Sequence, residues 1–199
     1  MTDDIDLFEA MYTQRAIRYL KPDPVPDELI TRIIEAGTQA PSGGSRQPWK
    51  FIVIQDPELK RRIGELYRTV FSGHVPGAPG AMLASSVHLE EHIHEAPVLI
   101  LACTEHDGSP SAMSRGASVY PAVQNMLLAA RGLGLGAVLT SRHKIRYEEE
   151  IKQLLDIPDN VETAALIPIG YPAEGVRYGP LKRQPVEEVT FKDRWGIMR

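Results

Sequence analysis

The side chains of this sequence that could do chemistry fall into a few groups. The segment Ala40-Pro41-Ser42-Gly43-Gly44-Ser45-Arg46-Gln47-Pro48-Trp49 has two adjacent glycines, which let backbone N–H groups approach a ligand that a Cβ would hold off. Ser42 and Ser45 add hydroxyls, Gln47 an amide and Trp49 a large anchor. Taken alone, the segment fits a helix-to-strand turn as well as a ligand loop. Arg15, Arg18 and Arg183 stand in or beside loops, and the guanidinium fork matches phosphate. Solvated surface arginines are the plainer account, but Pro180 and Pro185 bracket Leu181-Lys182-Arg183, and that rigidity tilts the reading toward a site. His88-Leu89-Glu90-Glu91-His92 matches H-x-x-E-H, which on a helix puts both histidines on one face beside Glu91. Zinc needs a third protein ligand and an open position, and beyond Glu95 nothing has the spacing. A solvated helix face is therefore the default, with a zinc hydrolase through His88 and His92 as the rival. Gly132 to Gly136 follows a helix and precedes a strand, the reverse of a dinucleotide loop, and reads as a helix end that lets the next strand come close to a neighbour. With no Ser-His-Asp order, acid/base pair or basic-aromatic interleaving, an enzyme built on this chain takes its reactive group from a cofactor.

The elements that must position these groups follow from periodicity. A helix is expected over Asp6 to Gln14 with Asp6 as N-cap and Leu7, Phe8, Met11 and Tyr12 on one face, then a connector stiffened by Pro22, Pro24 and Pro26. Asp27 is expected to cap a helix whose Leu29, Ile30, Ile33 and Ile34 run to Gly37. A strand at Phe51 to Gln55 and a helix from Asp56-Pro57-Glu58 come next, then a loop over Ser72 to Gly80 and a helix over Ala81 to His94. The strand Val98 to Cys103, a polar loop Glu105 to Ser111 and a helix Ser118 to Arg131 follow, with Pro121 tolerated only in that helix's first turn. A strand at Ala137 to Thr140, a helix at Tyr147 to Leu155 and a strand at Thr163 to Gly170 complete the set. This is one α+β domain over 1–199, a sheet of about four strands with helices on both faces. The tail from Ala173 has no core face of its own, and Trp195 needs a neighbour, which points to a dimer.

Totals bound the reading. The chain has 199 residues and a net charge of −4, so general nucleic-acid affinity is not expected and its cations must act locally. The single cysteine, Cys103, excludes an internal disulfide and lies in an apolar run, favouring a buried thiol over a nucleophile. The start is acidic where a signal peptide is basic, and no apolar run approaches a membrane span, so a cytoplasmic place is expected.

Separated segments then resemble one family. Arg15-Ala16-Ile17-Arg18-Tyr19 is similar to the R-[SA]-[IV]-R opening of the nitroreductase family of flavoenzymes. Ala40 to Trp49 resembles its A-P-S-x-x-N-x-Q-P-W segment, and Val123 to Ala130 with Gly132 to Gly136 its central helix and exit, while Gly170-Tyr171-Pro172 and Lys182-Arg183-Gln184-Pro185 extend the likeness. The resemblance implies a three-layer sandwich on a mixed, mainly antiparallel sheet. It also implies a homodimer with FMN at the interface, and a C-terminal tail swapped over the partner. It implies ping-pong chemistry in which NAD(P)H reduces FMN and a small acceptor, such as a nitroaromatic or quinone, takes the electrons; a non-enzymatic flavin-storage protein is a further rival. Carried over, Arg15 and Arg183 hold the FMN phosphate with backbone from Ala16, and Arg18 lies at the flavin N1/O2 edge. Pro41, Ser42 and Gly43 come from the other subunit, and Gln47 touches the ribityl chain or ring edge. Leu139, Thr140 and Ser141 pass the ring with an amide near Ser141 at N5, and Arg68 reaches the pyrimidine edge. Ser45 stands where asparagine is usual, Ala16 where serine is common, and 72–95 has the place of a variable lid.

Overall fold

The computed structural model describes residues 5–70, 80–108 and 112–198. Residues 72–79 of the expected loop, with the first part of the expected lid, and 109–111 of the next loop lie outside the described residues.

The apolar run after Pro97 becomes β2 (Val98–Glu105), the centre of the molecule. As successive side chains of a strand point to opposite faces, Val98, Ile100 and Ala102 enter one core and Leu99, Leu101 and Cys103 the other. Burial on both faces explains why the run is apolar without alternation. β2 pairs antiparallel with β1 (Trp49–Ile54) and β4 (Val161–Gly170), and β4 with β3 (Gly136–Ala137), giving the order β1-β2-β4-β3. These pairings are all antiparallel; the parallel part of the expected mixed sheet is one bridge, Ala16 to Ala137.

The first core is covered by α2 (Asp27–Thr38) and α5 (Ala112–Gly132), through Ile30, Ile33, Val119, Val123 and Met126. The second is covered by α3 (Pro57–Val70), α4 (Gly80–His92) and α7 (Glu148–Leu154), through Ile63, Tyr67, Leu89 and Ile151. The expected three layers are present. Cys103 is fully buried and burial pushes its thiol up to about 12, so it is inert.

Local expectations are corrected in several places. Pro26, not Asp27, occupies the N-cap of α2; Asp27 starts the helix and its carboxylate accepts from Gln55 Nε2 at 3.4 Å. Pro121 lies well inside α5, which starts at Ala112. A proline without N–H leaves the Ala117 carbonyl without its helical partner, and the turn before it is held instead by a tertiary tie, Arg115 Nε to Glu162 at 2.7 Å. The helix expected at Tyr147 to Leu155 is found as α7, and a further short helix that was not expected, α6 (His143–Arg146), precedes it. β3 is shorter than expected because the chain steps out at Val138 and Leu139; pairing resumes at Thr140, which exchanges hydrogen bonds with Leu166 at 2.9 and 2.8 Å.

Two connections position the region around Arg15. Gly136 has no room for a Cβ, which would meet Ile17 Cγ2 at 2.7 Å and Leu20 Cδ2 at 2.9 Å. The close neighbour implied by the glycines is thus the Arg15–Leu20 connector, and the Ile17 N–H donates to Ala137 O at 3.1 Å. The tail doubles back on the same connector, with Ala173 N–H donating to Tyr19 O at 3.0 Å and Gly179 N–H to Thr13 O at 2.6 Å. Beyond that it leaves Val186, Val189, Ile197 and Trp195 exposed, Trp195 at 89%. In α1 (Leu7–Thr13) the Asp6 carboxylate caps the Phe8 and Glu9 N–H groups, while Leu7, Phe8, Met11 and Tyr12 face outward. Among the described residues no helix is long and apolar enough to cross a membrane.

Candidate functional site

The doubled connector and tail enclose a cleft of about 860 Å³. Arg15, Ala16 and Arg18 come to it from the connector, and Arg177, Lys182 and Arg183 from the tail. Met82 and Ser85 of α4 form its far wall. Arg18 and Met82 also line an adjoining cavity of about 270 Å³, whose floor is Val138 to Arg142. Among the described residues, every charged side chain lining either cavity is a cation. Burial, then the charges of Arg142 and Arg15, hold the Arg18 guanidinium below its ordinary value. Such a cluster of like charges is relieved by an anion.

Of the residues singled out from the sequence, Arg15, Ala16, Arg18 and Arg183 meet in the larger cleft, and Leu139, Thr140 and Ser141 in its extension. The three residues of the strand end are not equivalent. The Thr140 N–H is spent on Leu166, whereas the Leu139 and Ser141 N–H groups bond no described residue, and both residues line the cavity. Pro41, Ser42, Gly43 and Gln47 do not reach this cleft. They form a separate exposed turn in which the Gln47 N–H donates to Ser42 Oγ at 2.9 Å, beside a third cavity lined by Arg46 and Pro48. Within the turn Gly44, Ser45 and Gln47 all have positive φ, at 59°, 54° and 50°.

One expectation, the reach of Arg68, and one rival reading, zinc at His88 and His92, meet contrary geometry. Arg68 does not reach either cavity; its guanidinium donates to Glu91 O at 3.3 Å and so caps the end of α4. His88 and His92 stack ring on ring at 4.5 Å, His88 also stacks on Tyr19 at 4.1 Å, and His92 Nδ1 lies 2.9 Å from Glu95. Among the described residues no three His, Cys, Asp or Glu side chains are grouped to hold a metal ion. The residue of the H-x-x-E-H run that matters is the one between: Glu90 is 2% exposed and pairs with Arg142. Burial pushes its carboxyl up to about 7 against the pull of that guanidinium.

Sequence reasoning also missed Met82, Ser85, Arg142 and the polar groups behind the cleft floor, Tyr67, His143 and Thr163. The signal for Arg142 and His143 was present: Ser141-Arg142-His143-Lys144 is a polar block set directly on the end of an apolar strand.

Known proteins can be compared once this geometry is in place. The model of the nitroreductase family matches residues 12–171. A protein of Methanothermobacter thermautotrophicus, provisionally named NADH dehydrogenase/NAD(P)H nitroreductase, is 35% identical over 173 residues, which is 85% of this chain and 79% of the relative. An iodotyrosine deiodinase structure bound to FMN and 3-iodo-L-tyrosine is similar with a TM-score of 0.76 and 26% identity, over 94% of this chain and 100% of that one. A structure in complex with FMN from Desulfovibrio desulfuricans, provisionally named a nitroreductase, is similar with a TM-score of 0.72 and 27% identity, over 96% and 98% of the two chains.

Proposed function

The chain belongs to the nitroreductase family, and from that membership and the all-cation cleft we propose that it is an FMN-dependent oxidoreductase that oxidises NAD(P)H and passes the electrons to a small acceptor by a ping-pong route. The observation that carries this reading is the cleft itself, where Arg15, Arg18 and Arg183 converge beside an unspent Ser141 N–H. The residues fit the group: an anion is wanted at one end, and a backbone donor waits at the other. Arg15 and Arg183 would hold the phosphate with the backbone of Ala16, and Arg18 would face the N1/O2 edge, where reduced flavin gathers negative charge. Leu139 to Ser141 would run along the ring edge, with the Ser141 N–H directed at N5. When bound, FMN supplies the hydride acceptor and donor, so that this chain needs to give position and charge and no side-chain base.

Pro41, Ser42, Gly43 and Gln47 would serve the cleft of a second copy, since they stand away from their own. The outward apolar face of α1 and the exposed tail support a homodimer in which 173–199 wraps the partner. The lid role of 72–95 is supported by Met82 and Ser85 on the cleft wall. A cytoplasmic place accords with the unpaired Cys103.

The test is the spectrum of the purified protein, followed by anaerobic titration with NADH and with NADPH. Bleaching of a bound flavin supports the proposal. Stoichiometric zinc without flavin absorbance refutes it, and flavin that neither nicotinamide bleaches leaves a storage protein. The likeness to the deiodinase carries a second reading, reductive dehalogenation of an aromatic acceptor at the same site. Iodide release from 3-iodo-L-tyrosine, set against turnover of nitroaromatics and quinones, separates the two.

A further inference from the structure

Behind the cleft floor runs a buried chain of hydrogen-bonding groups that the proposed function has not used. Glu148, Thr163, His143, Tyr67 and Thr140 come from α7, β4, α6, α3 and the strand end, and join in that order. Thr163 Oγ1 lies 2.6 Å from Glu148 Oε1 and 3.0 Å from His143 Nε2. Tyr67 Oη lies 3.4 Å from His143 Nδ1 and 3.5 Å from Thr140 Oγ1. We propose that Tyr67 and His143 are positioning residues that fix the Ser141 N–H at the flavin edge of the cleft; the proposal rests on the FMN reading above.

The proton positions follow by elimination. Burial works against the Glu148 carboxylate, yet hydrogen bonds from Thr163 and Lys144 hold it below its ordinary value, so it only accepts. The Thr163 hydroxyl proton is then spent on Glu148, and the bond to His143 requires a proton on Nε2. Burial pushes the His143 ring down to about 4, so it is neutral and its Nδ1 carries a lone pair. Tyr67 donates to that lone pair, and having one proton can only accept from Thr140. Each side-chain proton of the chain therefore points from the cleft toward Glu148, which also accepts from Lys144 and from the Thr163 N–H. A network satisfied in only one direction fixes one geometry of its backbone.

The placement of the anchors gives this a consequence for the site. Thr140 is held by Leu166 through its backbone and by Tyr67 through its side chain, and His143 is held by Thr163. Only Ser141 and Arg142 lie between the two anchors, and both line the cavity. His143 is 0% exposed and Tyr67 1%, so neither touches a ligand and both act through the backbone. A donor aimed at N5 favours the oxidised ring, whose N5 offers a lone pair, over the reduced ring, whose N5 already carries hydrogen.

The test compares FMN-loaded wild type with Tyr67→Phe, His143→Leu and His143→Gln, reading flavin affinity and the midpoint potential. Tyr67→Phe and His143→Leu are expected to weaken oxidised over reduced FMN about fivefold, a rise of about 20 mV for a two-electron couple. His143→Gln, whose amide can donate to Thr163 and accept from Tyr67, recovers most of the wild-type potential. A potential that is unchanged or lowered in Tyr67→Phe overturns the proposal, even if the melting temperature falls, because a purely structural role moves only the latter. Should His143→Leu not fold, Tyr67→Phe removes a single oxygen and decides alone. Wild type that takes up no FMN overturns the flavin reading and this inference with it.

Discussion

Replacing Arg183 by alanine separates phosphate recognition from every other contribution to flavin binding. Among the described residues the cleft gathers Arg15, Arg18, Arg177, Lys182 and Arg183 with no acidic side chain on its wall, so none of these opposes an anion there. A charge-assisted hydrogen bond to phosphate contributes about 1.5–3 kcal/mol. Arg183 is exposed, so water screens it and the low end applies. About 1.5 kcal/mol corresponds to roughly a tenfold rise in the Kd of FMN. Riboflavin, which has the same ring and ribityl chain without the phosphate, should bind Arg183→Ala and wild type alike. Quenching of flavin fluorescence measures both ligands in one format, and the FMN affinity of the variant should depend less on salt than that of the wild type. An equal loss for riboflavin would mean that Arg183 acts on the ring or on the tail's folding. Unchanged FMN affinity would remove Arg183 from the phosphate site altogether.

Two further outcomes follow from burial. His143, pushed down to about 4 from 6.5, takes up a proton more readily when unfolded, so its stabilisation is complete above pH 6.5 and is lost as pH falls toward 4. Glu90, pushed up to about 7 from 4.5, has the opposite effect, and its contribution is lost as pH rises through that window. The two slopes oppose each other between pH 5 and 6.5, so Glu90→Gln should gain about 2 kcal/mol on wild type between pH 5 and pH 7 in urea denaturation; parallel curves would show that Arg142 keeps Glu90 ionised. Phe8→Asp, on the exposed apolar face of α1, should shift the protein from dimer to monomer in light scattering, and a monomeric wild type would refute the dimer.

What was legible in the sequence was whatever local pattern determines. β2 and β4 read correctly because a strand buried on both faces carries a continuous apolar run, here Val98 to Cys103 and Ala164 to Ile169, and α2 because its isoleucines recur at helical spacing. Asp27 misled because Pro26, with ψ at 140°, is the last residue outside the helix, leaving aspartate to start it. Pro121 misled because the helix before it is held by the Arg115–Glu162 tie, which no local rule can see. α4 was the hardest case. Its histidines announce chemistry, yet the helix is seated so that Glu90 points in while His88 and His92 stack along its side. Periodicity says which residues share a face and not which face meets the sheet. The same limit hid Tyr67 and His143, which become one network only when α3 and α6 meet behind the strand end.

The turn at Ser42 to Gln47 brings the motif and the backbone into one account. Gly44 adopts positive φ without penalty, but Ser45 and Gln47 carry side chains in the left-handed region, which costs on the order of 1 kcal/mol or more per residue. Asparagine tolerates that region better than serine, which gives a physical reason for the asparagine that the family pattern has where this chain has Ser45. Within the chain the turn is exposed and is held by the Ser42–Gln47 contact, by Arg46 Nε donating to Gly43 O at 3.3 Å, by an exposed Arg46–Asp107 pair at 3.9 Å and by short-range turn bonds. Strain held where no core demands it would be offset by a partner that binds there. The cleft that needs further walls is the cation-lined one, and the turn cannot reach it in its own chain. In the proposed dimer, a second copy that brings its turn to the first copy's cleft would meet both needs at once, and it would cover the apolar faces of α1 and the tail in the same step.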